Sequence, residues 1–491
     1  MTSDKETSGK ETSGKETSDK GISRRKFVQG AVAGVIVGGV VAGVGGYYGG
    51  ASSSSGKTTT ATETTTQTAA TGAATVTETT TQTTSVVAQA STGGPQEIVI
   101  GSSMSLTGPE GPLGPESEWA YNYAVNLVNS QGGIYLSSLG RALPVKLIVL
   151  DDQSDQATSV SNMQQLATVN NVNFFLGEGG PNANGDIVVA QEYKTIYMGG
   201  SLDTPDIWSA GNPYLFSVFV QLAGAGTSVI TPPTQITPFY QWAQSLPAGT
   251  APKNLAMWQE DSDEGNAFCG PTSATVTAAP NYGMNVVFQQ KYEPGTTDFT
   301  SLITATKAAN PDVVIGIPNP TDFITMITGC QELKFSPKLW YISKGWNAQP
   351  VVEALGTAAA GVTGETPWAP ASPFGQDIAA AWEAAQGSTP AWIPIFFVVN
   401  AQILFDAIRI AGTLDTATVR NVLLTNTFYT AVGPIKFQSN GVTYPQQYMI
   451  QLQYNGTPNS FGEHVSYNLS PIVYPATGCC QVGATTSATT T

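Results

Sequence analysis

From residue 97 onward, short apolar segments alternate with longer segments that have helical periodicity. The segments EIVIGSSMSL, VKLIVLDD, VNFFLGEGG and TIYMGGS predict strands, and EWAYNYAVNLVNSQGG, SVSNMQQLATVN and DIVVAQEY between them predict helices. After a break near residues 220–250, strands are predicted again at NLAMWQED, MNVVFQQKY, DVVIGIP and KLWYIS. Strands that alternate with helices are typical of parallel βαβ units. The pattern therefore predicts an α/β protein with two doubly wound, Rossmann-like lobes.

The N-terminal part of the chain lacks this pattern. Residues 1–21 carry copies of a small polar repeat, TS[DG]K[EG], with nothing apolar to bury, which predicts disorder. In residues 22–49, Arg24 and Arg25 precede an uncharged apolar run that ends at Tyr48. The run resembles a twin-arginine export signal, and it is also long enough for a transmembrane anchor. Both interpretations place the rest of the chain outside the cytoplasm.

A Thr/Ser-rich tract at residues 50–96 separates this segment from the two lobes, and its composition is typical of a stretched or coiled stalk. A spacer is useful only to a protein that stays tethered. We therefore expect the protein to be exported and anchored at the outer face of the cytoplasmic membrane, with a disordered tail at residues 476–491.

The composition limits the classes of partner. Of the 491 residues, 41% are hydrophobic and 11% are charged, and the formal net charge is -15 at pH 7. Nucleic acids and anionic lipid surfaces bind clustered Lys and Arg, which the body of this chain lacks. The charge balance therefore argues against both as the main partner.

The sequence offers little material for a catalytic or metal site. His464 is the only histidine, so a nucleophile that needs an imidazole base has a single candidate. Asp151, Asp152 and Asp155 lie where a predicted strand ends and a helix begins, and aspartate caps the free N–H groups of a helix there. There is no GxxxxGK[ST] loop and no CxxC pair. We expect neither an enzyme, nor a cofactor, nor a metal.

Cysteine use is sparse and leaves the disulfide pattern open. Cys269 and Cys330 fall in the predicted second lobe, and Cys479 and Cys480 are adjacent in the tail. Four cysteines allow three connectivities. A Cys269–Cys330 disulfide and two buried thiols are both compatible with an exported protein.

A series of segments carries a family resemblance. GSSMSLTGPEGPLGP, VNSQGGI, LIVLDDQSDQATSV, MGGSLDTPDIW, WQEDSDEG, DFTSLITATKAANPDVVIG and GPIKFQSNG occur in the order and spacing found in the branched-chain amino acid-binding proteins of ABC importers. The chain resembles this leucine/isoleucine/valine-binding family over about residues 97–475.

The resemblance implies a type I periplasmic-binding fold, in which two lobes joined by three crossing segments close on a small ligand. It places residues 97–220 and 367–440 in lobe 1, and residues 221–366 and 441–475 in lobe 2. It also implies an extracytoplasmic receptor that captures a small molecule and delivers it to an ABC permease with its ATPase subunits. A ligand-sensing receptor or regulator of the same fold, without transport, is the alternative.

The resemblance also transfers ligand contacts to lobe 1. After the strand in FFLGEGGPN, Gly180, Pro181 and Asn182 occupy the loop that binds the ligand carboxylate in relatives, although the usual serines are missing. The next strand end supplies Ser201, Asp203 and Thr204. Hydroxyl and backbone N–H groups suit a carboxylate, and the same residues could equally be ordinary helix caps.

Other transferred positions depart from the family pattern. Leu113, Glu264 and Asn319 stand where relatives place aromatic side chains. Lys344 stands where amino acid-binding relatives place the glutamate that receives the ligand's ammonium group, and Trp346 beside it could form an apolar wall of the pocket.

Three interpretations of Lys344 follow. It could bind a negative group, which would make the ligand a small organic acid without an α-ammonium group. It could pair with Glu264 or Asp322, so that an acid left partly free still receives an amino acid. It could also extend its ammonium group into solvent.

Residues 97–475, produced without the preceding segments, should fold as a soluble monomer. Because the repeat and the Thr-rich tract contribute nothing to the core, the melting temperature should match that of the longer chain. Calorimetry on the two proteins measures this. Aggregation of the shorter chain, or a much lower melting temperature, would show that the boundary cuts into the folded part.

Overall fold

A computed structural model describes residues 59–71, 74–86 and 94–468, apart from residues 203, 205–206, 209–210, 220–221, 223–228, 231, 371 and 460–461. The chain divides into two units, Met1–Ser91 and Thr92–Thr491. The expected signal or anchor at residues 22–49, the polar repeat and the tail at residues 476–491 lie outside the described residues.

In the first unit, the Thr-rich tract forms a β-hairpin. Strand β1 spans Thr59–Thr71 and strand β2 spans Ala74–Val86. The two strands are antiparallel, and Thr59 lies opposite Val86. Threonine is branched at Cβ and favours extended backbone, so a threonine-rich segment can form paired strands. The composition of this segment had predicted a stretched or coiled stalk.

Lobe 1, in the second unit, is built on a parallel sheet. Its strands are β3 (Ile98–Met104), β4 (Ile134–Leu136), β5 (Arg141–Leu143), β6 (Val145–Asp151), β7 (Phe174–Gly179), β8 (Tyr197–Ser201) and β9 (Leu215–Ser217). Strands β4 and β5 form an antiparallel hairpin. The other five form a parallel sheet in the order β6-β3-β7-β8-β9.

The helices of lobe 1 connect these strands as the alternating pattern predicted. Those in the first part of the lobe are α1 (Gly114–Ser130), α2 (Gln156–Thr168) and α3 (Ala183–Glu192). Helix α2 begins after Asp155, whose carboxylate accepts a hydrogen bond from the Thr158 backbone N–H at 2.8 Å. This bond satisfies one of the helix's free N–H groups and confirms the capping role expected for Asp155.

Lobe 2 repeats the architecture with a larger sheet. Its first elements are α4 (Thr237–Ser245), β10 (Asn254–Glu260), α5 (Asp263–Cys269), α6 (Ala274–Ala278), β11 (Asn285–Tyr292), α7 (Thr300–Ala309), β12 (Val313–Gly316), α8 (Pro320–Glu332), β13 (Leu339–Ile342), α9 (Gln349–Leu355) and β14 (Val362–Thr366). Strands β10 to β14 are mutually parallel.

After β14 the chain returns to lobe 1 and then ends in lobe 2. The elements of this part are α10 (Gln376–Gln386), α11 (Trp392–Ala411), α12 (Thr416–Thr425), β15 (Phe428–Thr430), β16 (Gly433–Ile435), β17 (Tyr448–Asn459) and β18 (Gly462–Asn468). Strands β17 and β18 extend the second sheet antiparallel, in the order β11-β10-β12-β13-β14-β17-β18.

The chain thus crosses between the lobes after β9, after β14 and after β16. A backbone bridge between Ser217 and Val442 ties the first crossing to the third. The predicted fold, two doubly wound lobes joined by three segments, is confirmed.

Helix α11 is the centre of the lobe 1 core. It is the one helix in the described part of the chain that is long and apolar enough to cross a membrane, but 78% of its apolar window is buried inside the protein. Its side chains pack with those of α1 and the first sheet. Burial in the core therefore accounts for its hydrophobicity.

The two cysteines of lobe 2 are buried and are not joined by a disulfide. Cys269 belongs to the core between α5 and the sheet, and burial raises its pKa. Cys330 lies in a different hydrophobic cluster, on α8. Of the two alternatives left open by the sequence, the structure has buried thiols. Cys479 and Cys480 lie outside the described residues.

Two strand glycines of lobe 2 give a matched test of the packing. A Cβ atom on Gly364 would lie 2.2 Å from Trp346 Nε1 and 2.3 Å from the Ile342 carbonyl oxygen, whereas one on Gly316 would meet nothing closer than 3.4 Å. We expect Gly364→Ala to lower the free energy of unfolding by about 1–3 kcal/mol or more, because overpacking displaces the tryptophan. Gly316→Ala should change it by less than about 1 kcal/mol. Denaturant titration measures both, and equal effects would contradict this packing.

Candidate functional site

A cavity lies between the two lobes, at the carboxyl ends of their strands, where open α/β sheets bind ligands. Lobe 1 contributes the loop after β3, the ends of β7 and β8, and the first turns of α11. Lobe 2 contributes α5 and the segment after β13. The lining residues are Ser105, Glu110, Leu113, Ser117, Glu178, Gly179, Gly180, Ser201, Glu264, Lys344, Trp392, Ile393 and Phe397.

The space between the walls of the cavity, including the part open to solvent, is about 450 Å³. Leu113, Ile393 and the rings of Trp392 and Phe397 form an apolar side, and the charged residues form the other.

Lys344 is the only cation that lines the cavity within the described residues, and it is buried. Its Nζ donates hydrogen bonds to Glu264 Oε2 at 2.7 Å, Glu110 Oε1 at 2.9 Å and Asn319 Oδ1 at 2.9 Å. Glu260 Oε1 lies 3.8 Å from Nζ. Burial by itself would lower the pKa of Lys344, but the surrounding glutamates raise it well above its usual range. The ammonium group is therefore charged, and its three hydrogens are used.

Glu110 reaches Lys344 from the opposite lobe. It belongs to the loop that follows β3, and Asp151 and Asp152 at the end of β6 hold that loop. Asp151 accepts from the backbone of Leu106 and Thr107, and Asp152 accepts from the Ser105 hydroxyl at 2.8 Å. Burial and the neighbouring glutamates raise the pKa of Glu110 to about 7, although Lys344 opposes this shift.

Glu178, at the end of β7, is a second buried acid of lobe 1. Its Oε2 accepts the Ser105 backbone N–H at 2.7 Å, and its Oε1 lies 3.2 Å from the Ser117 hydroxyl oxygen. Burial raises its pKa to about 8, and the neighbouring Asp152 and Glu110 contribute to the shift.

Half of the predicted contact residues line the cavity: Leu113, Gly180, Ser201, Glu264 and Lys344. Asn319 lies behind them and contacts the cavity only through Lys344. Asn182 and Thr204 are buried but do not line the cavity. The Asn182 side chain forms a hydrogen bond with Asp152. The Thr204 hydroxyl has no hydrogen-bond partner among the described residues. Asp203 lies outside the described residues.

Trp346 is not the apolar wall that the sequence suggested. Its side chain is fully buried in the hydrophobic core of lobe 2, against Gly364 of the neighbouring strand. Trp392 and Phe397 at the start of α11 supply the aromatic wall instead. Neither these two residues nor Glu110 and Glu178 were among the contacts predicted from the sequence. Glu178 could have been found from the sequence, since it stands at the end of a predicted strand, where ligands bind in this class of fold.

The surroundings of Lys344 bear on its three interpretations. Its side chain is only 10% exposed and its ammonium group is bonded to the protein, so it does not extend into solvent. It pairs with Glu264, whereas Asp322 accepts hydrogen bonds from the Gly295 backbone N–H. Because its three hydrogens already bind oxygen atoms of the protein, the geometry favours pairing over the binding of an external anion.

Comparison with known proteins adds a family to this geometry. The family model described as "Periplasmic binding protein" matches residues 97–458. The chain belongs to the periplasmic binding protein family. A curated relative, the Leu/Ile/Val-binding protein homolog 7 of Brucella abortus, is 24% identical over 347 residues, which are 67% of this chain and 80% of the relative.

Solved structures show the same fold. A leucine-binding protein from Thermotoga maritima aligns with a TM-score of 0.63 at 17% identity, covering 76% of this chain and 97% of that protein. A branched-chain amino acid transporter substrate-binding protein from Streptococcus pneumoniae, in complex with isoleucine, aligns with a TM-score of 0.62 at 16% identity. This alignment covers 76% of the present chain and 100% of that protein. A solute-binding protein from Rhodopseudomonas palustris, in complex with 3,4-dihydroxybenzoic acid, aligns with a TM-score of 0.62 at 17% identity. This alignment covers 78% of the present chain and 99% of that protein.

Removing the cation of the cavity should destabilise the protein in a pH-dependent way. Lys344→Met leaves Glu110, Glu260 and Glu264 buried without a positive partner. We expect the free energy of unfolding to fall by about 3–5 kcal/mol near pH 8 and by clearly less near pH 5, which lies below the pKa of about 7 to which burial raises Glu110. The sign follows because acids with a raised pKa make the native state bind more protons than the unfolded state, so its stability falls as pH rises.

Lys338→Met is the matched control. Lys338 pairs with Asp312 at 2.6 Å, but its side chain is 53% exposed. An exposed pair contributes little, so this variant should lose less than about 1 kcal/mol. Urea titrations of both variants across the pH range provide the measurement. Equal losses, or a Lys344→Met effect that does not change with pH, would contradict the buried network.

Proposed function

We propose that this protein is the extracytoplasmic solute-binding receptor of an ABC importer. It captures a small ligand between two closing lobes and delivers it to a membrane permease that ATPase subunits drive. One observation carries the proposal: the cavity walls come from both lobes, and Glu110 of lobe 1 contacts Lys344 of lobe 2 beside the cavity. A site divided in this way couples ligand binding to lobe closure.

The relatives support a small organic ligand. The Brucella protein carries the name of a Leu/Ile/Val-binding protein, and the two ligand-bound structures hold isoleucine and a dihydroxybenzoic acid. We propose a small organic molecule as the ligand of this chain, and the names of the relatives suggest amino acids and similar compounds as its class; the cavity lies between two lobes of the same fold.

A binding role suits the lining groups better than catalysis does. The described lining includes neither histidine nor cysteine. The Ser105 hydroxyl donates to Asp152 at 2.8 Å, and the same carboxylate accepts the Ser154 backbone N–H, so this pair holds the loop after β3. We therefore propose no reaction at this cavity.

We also propose that the lobes lie outside the cytoplasm and remain tethered. The support is the apolar run ending at Tyr48, which lies outside the described residues, and the family membership. Sequencing the N-terminus of the mature protein tests this. A mature chain that starts soon after Tyr48 and is free in the medium would show a cleaved export signal instead of an anchor.

The binding role is tested by what the purified protein carries. Mass spectrometry of small molecules released on denaturation should find a compound with the wild type and lose it with Ser201→Trp, which fills the cavity from a strand end. Ser245→Trp, on an exposed helix position away from the cavity, is the control and should retain the compound.

Transport is then tested with the released compound. Cells that lack the chain should lose its uptake, and wild type but not Ser201→Trp should restore it. Unchanged uptake with an altered transcriptional response would favour the sensing role. A Ser201→Trp protein that still carries the compound would place the binding site elsewhere.

A further inference from the structure

We infer that the ligand is a small organic ammonium ion with an apolar body and without a carboxylate group. This inference rests on the proposed binding role of the cavity between the lobes and specifies the chemistry of the ligand. It departs from an amino acid, which would bring a carboxylate together with its ammonium group.

Several hydrogen-bond donors beside the cavity are already used by the protein's own acids. The Lys344 ammonium group donates to Glu110, Glu264 and Asn319. The Ser105 backbone N–H binds Glu178, and its hydroxyl binds Asp152. A ligand carboxylate would have to displace these side chains to reach the same donors.

An anionic group would also meet like charge. Glu110, Glu178 and Glu264 line the cavity, and Lys344 is the single cation of the described lining. Acidic side chains outnumber the cation by three to one, so wherever these acids are ionised an added carboxylate is repelled and an added ammonium group attracted.

Acceptors, in contrast, remain available. Lys344 binds Glu110 through Oε1 and Glu264 through Oε2. Among the described residues, no donor binds Glu110 Oε2 or Glu264 Oε1, although both side chains are more than nine-tenths buried. Two buried carboxylate oxygens at the wall of a cavity are suited to receive the N–H groups of an ammonium ion.

The apolar side of the cavity fits the rest of such a ligand. Leu113 and Ile393 offer aliphatic contact, and Trp392 and Phe397 offer ring faces. Trp392 is fixed by ring contacts with Phe219 and Phe396 at centroid distances of 5.0 and 5.7 Å. A rigid aromatic wall binds an apolar body and also attracts a cation placed over its face.

The raised pKa values of two acids in the cavity are consistent with a cationic ligand. The pKa of Glu110 is raised to about 7 and that of Glu178 to about 8, mainly by burial. A bound ammonium group would supply the positive charge that these carboxyls lack and would favour their ionised forms.

Three probes of one carbon skeleton separate the charges: leucine, isoamylamine (leucine without its carboxylate) and isocaproate (leucine without its amine). Titration calorimetry and thermal shift should show isoamylamine binding at least about tenfold more tightly than leucine, with isocaproate weakest. Phenethylamine, which replaces the aliphatic body with a ring, should also bind.

Glu264→Gln should lower the affinity for isoamylamine by about tenfold, because it removes a negatively charged hydrogen-bond acceptor. Glu97→Gln is the control: Glu97 pairs with exposed Lys146 at 3.2 Å, far from the lining residues, and affinity should be unchanged. If Glu264→Gln does not fold, the comparison of the probes on the wild type decides the question without it.

Tighter binding of leucine or isocaproate than of isoamylamine would overturn the ammonium inference and leave the binding role intact. Absence of binding by all four probes, with a different compound released from the purified protein, would likewise overturn only the inference. Absence of both binding and any released compound would overturn the proposed function as well.

Discussion

A single buried ammonium group joins the two walls of the cleft. Lys344 leaves the end of a lobe 2 strand and binds Glu264 of its own lobe and Glu110 of the other. Charges removed from water are tolerated only when they are paired and hydrogen-bonded, so each partner requires the others. The loop that carries Glu110 is in turn held by Asp151 and Asp152, and the network therefore connects the first sheet to the second.

This arrangement also changes what the cleft can recognise. A receptor for an amino acid must offer donors to a carboxylate and acceptors to an ammonium group. Here Lys344 and the Ser105 backbone N–H are already bonded to the protein's own acids. One oxygen each on Glu110 and Glu264 accepts no hydrogen bond from the described residues, and both side chains line the cavity together with Trp392 and Phe397. The pairs that join the two lobes thus also bear on the chemistry of the ligand.

The sequence predicted the fold well, because alternating strands and amphipathic helices are a local pattern and parallel βαβ units have few possible arrangements. Residues at strand ends, such as Ser201 and Lys344, could be placed near the cleft for the same reason. The direction of a side chain depends on its neighbours. Trp346 turns into the core because Gly364, in the adjacent strand, leaves space for it. Glu110 depends on a loop that acids of another strand hold, which no local pattern indicates.

A double-mutant cycle on Glu110 and Lys344 tests the central claim most directly. The wild type, Glu110→Gln, Lys344→Met and the double variant are unfolded with urea near pH 8, where both groups are charged. The account predicts that the double variant loses less stability than the two single variants together, with a coupling of about 1.5 kcal/mol or more. Additive losses within about 0.5 kcal/mol would show that the two lobes are not joined through this pair and would contradict the account.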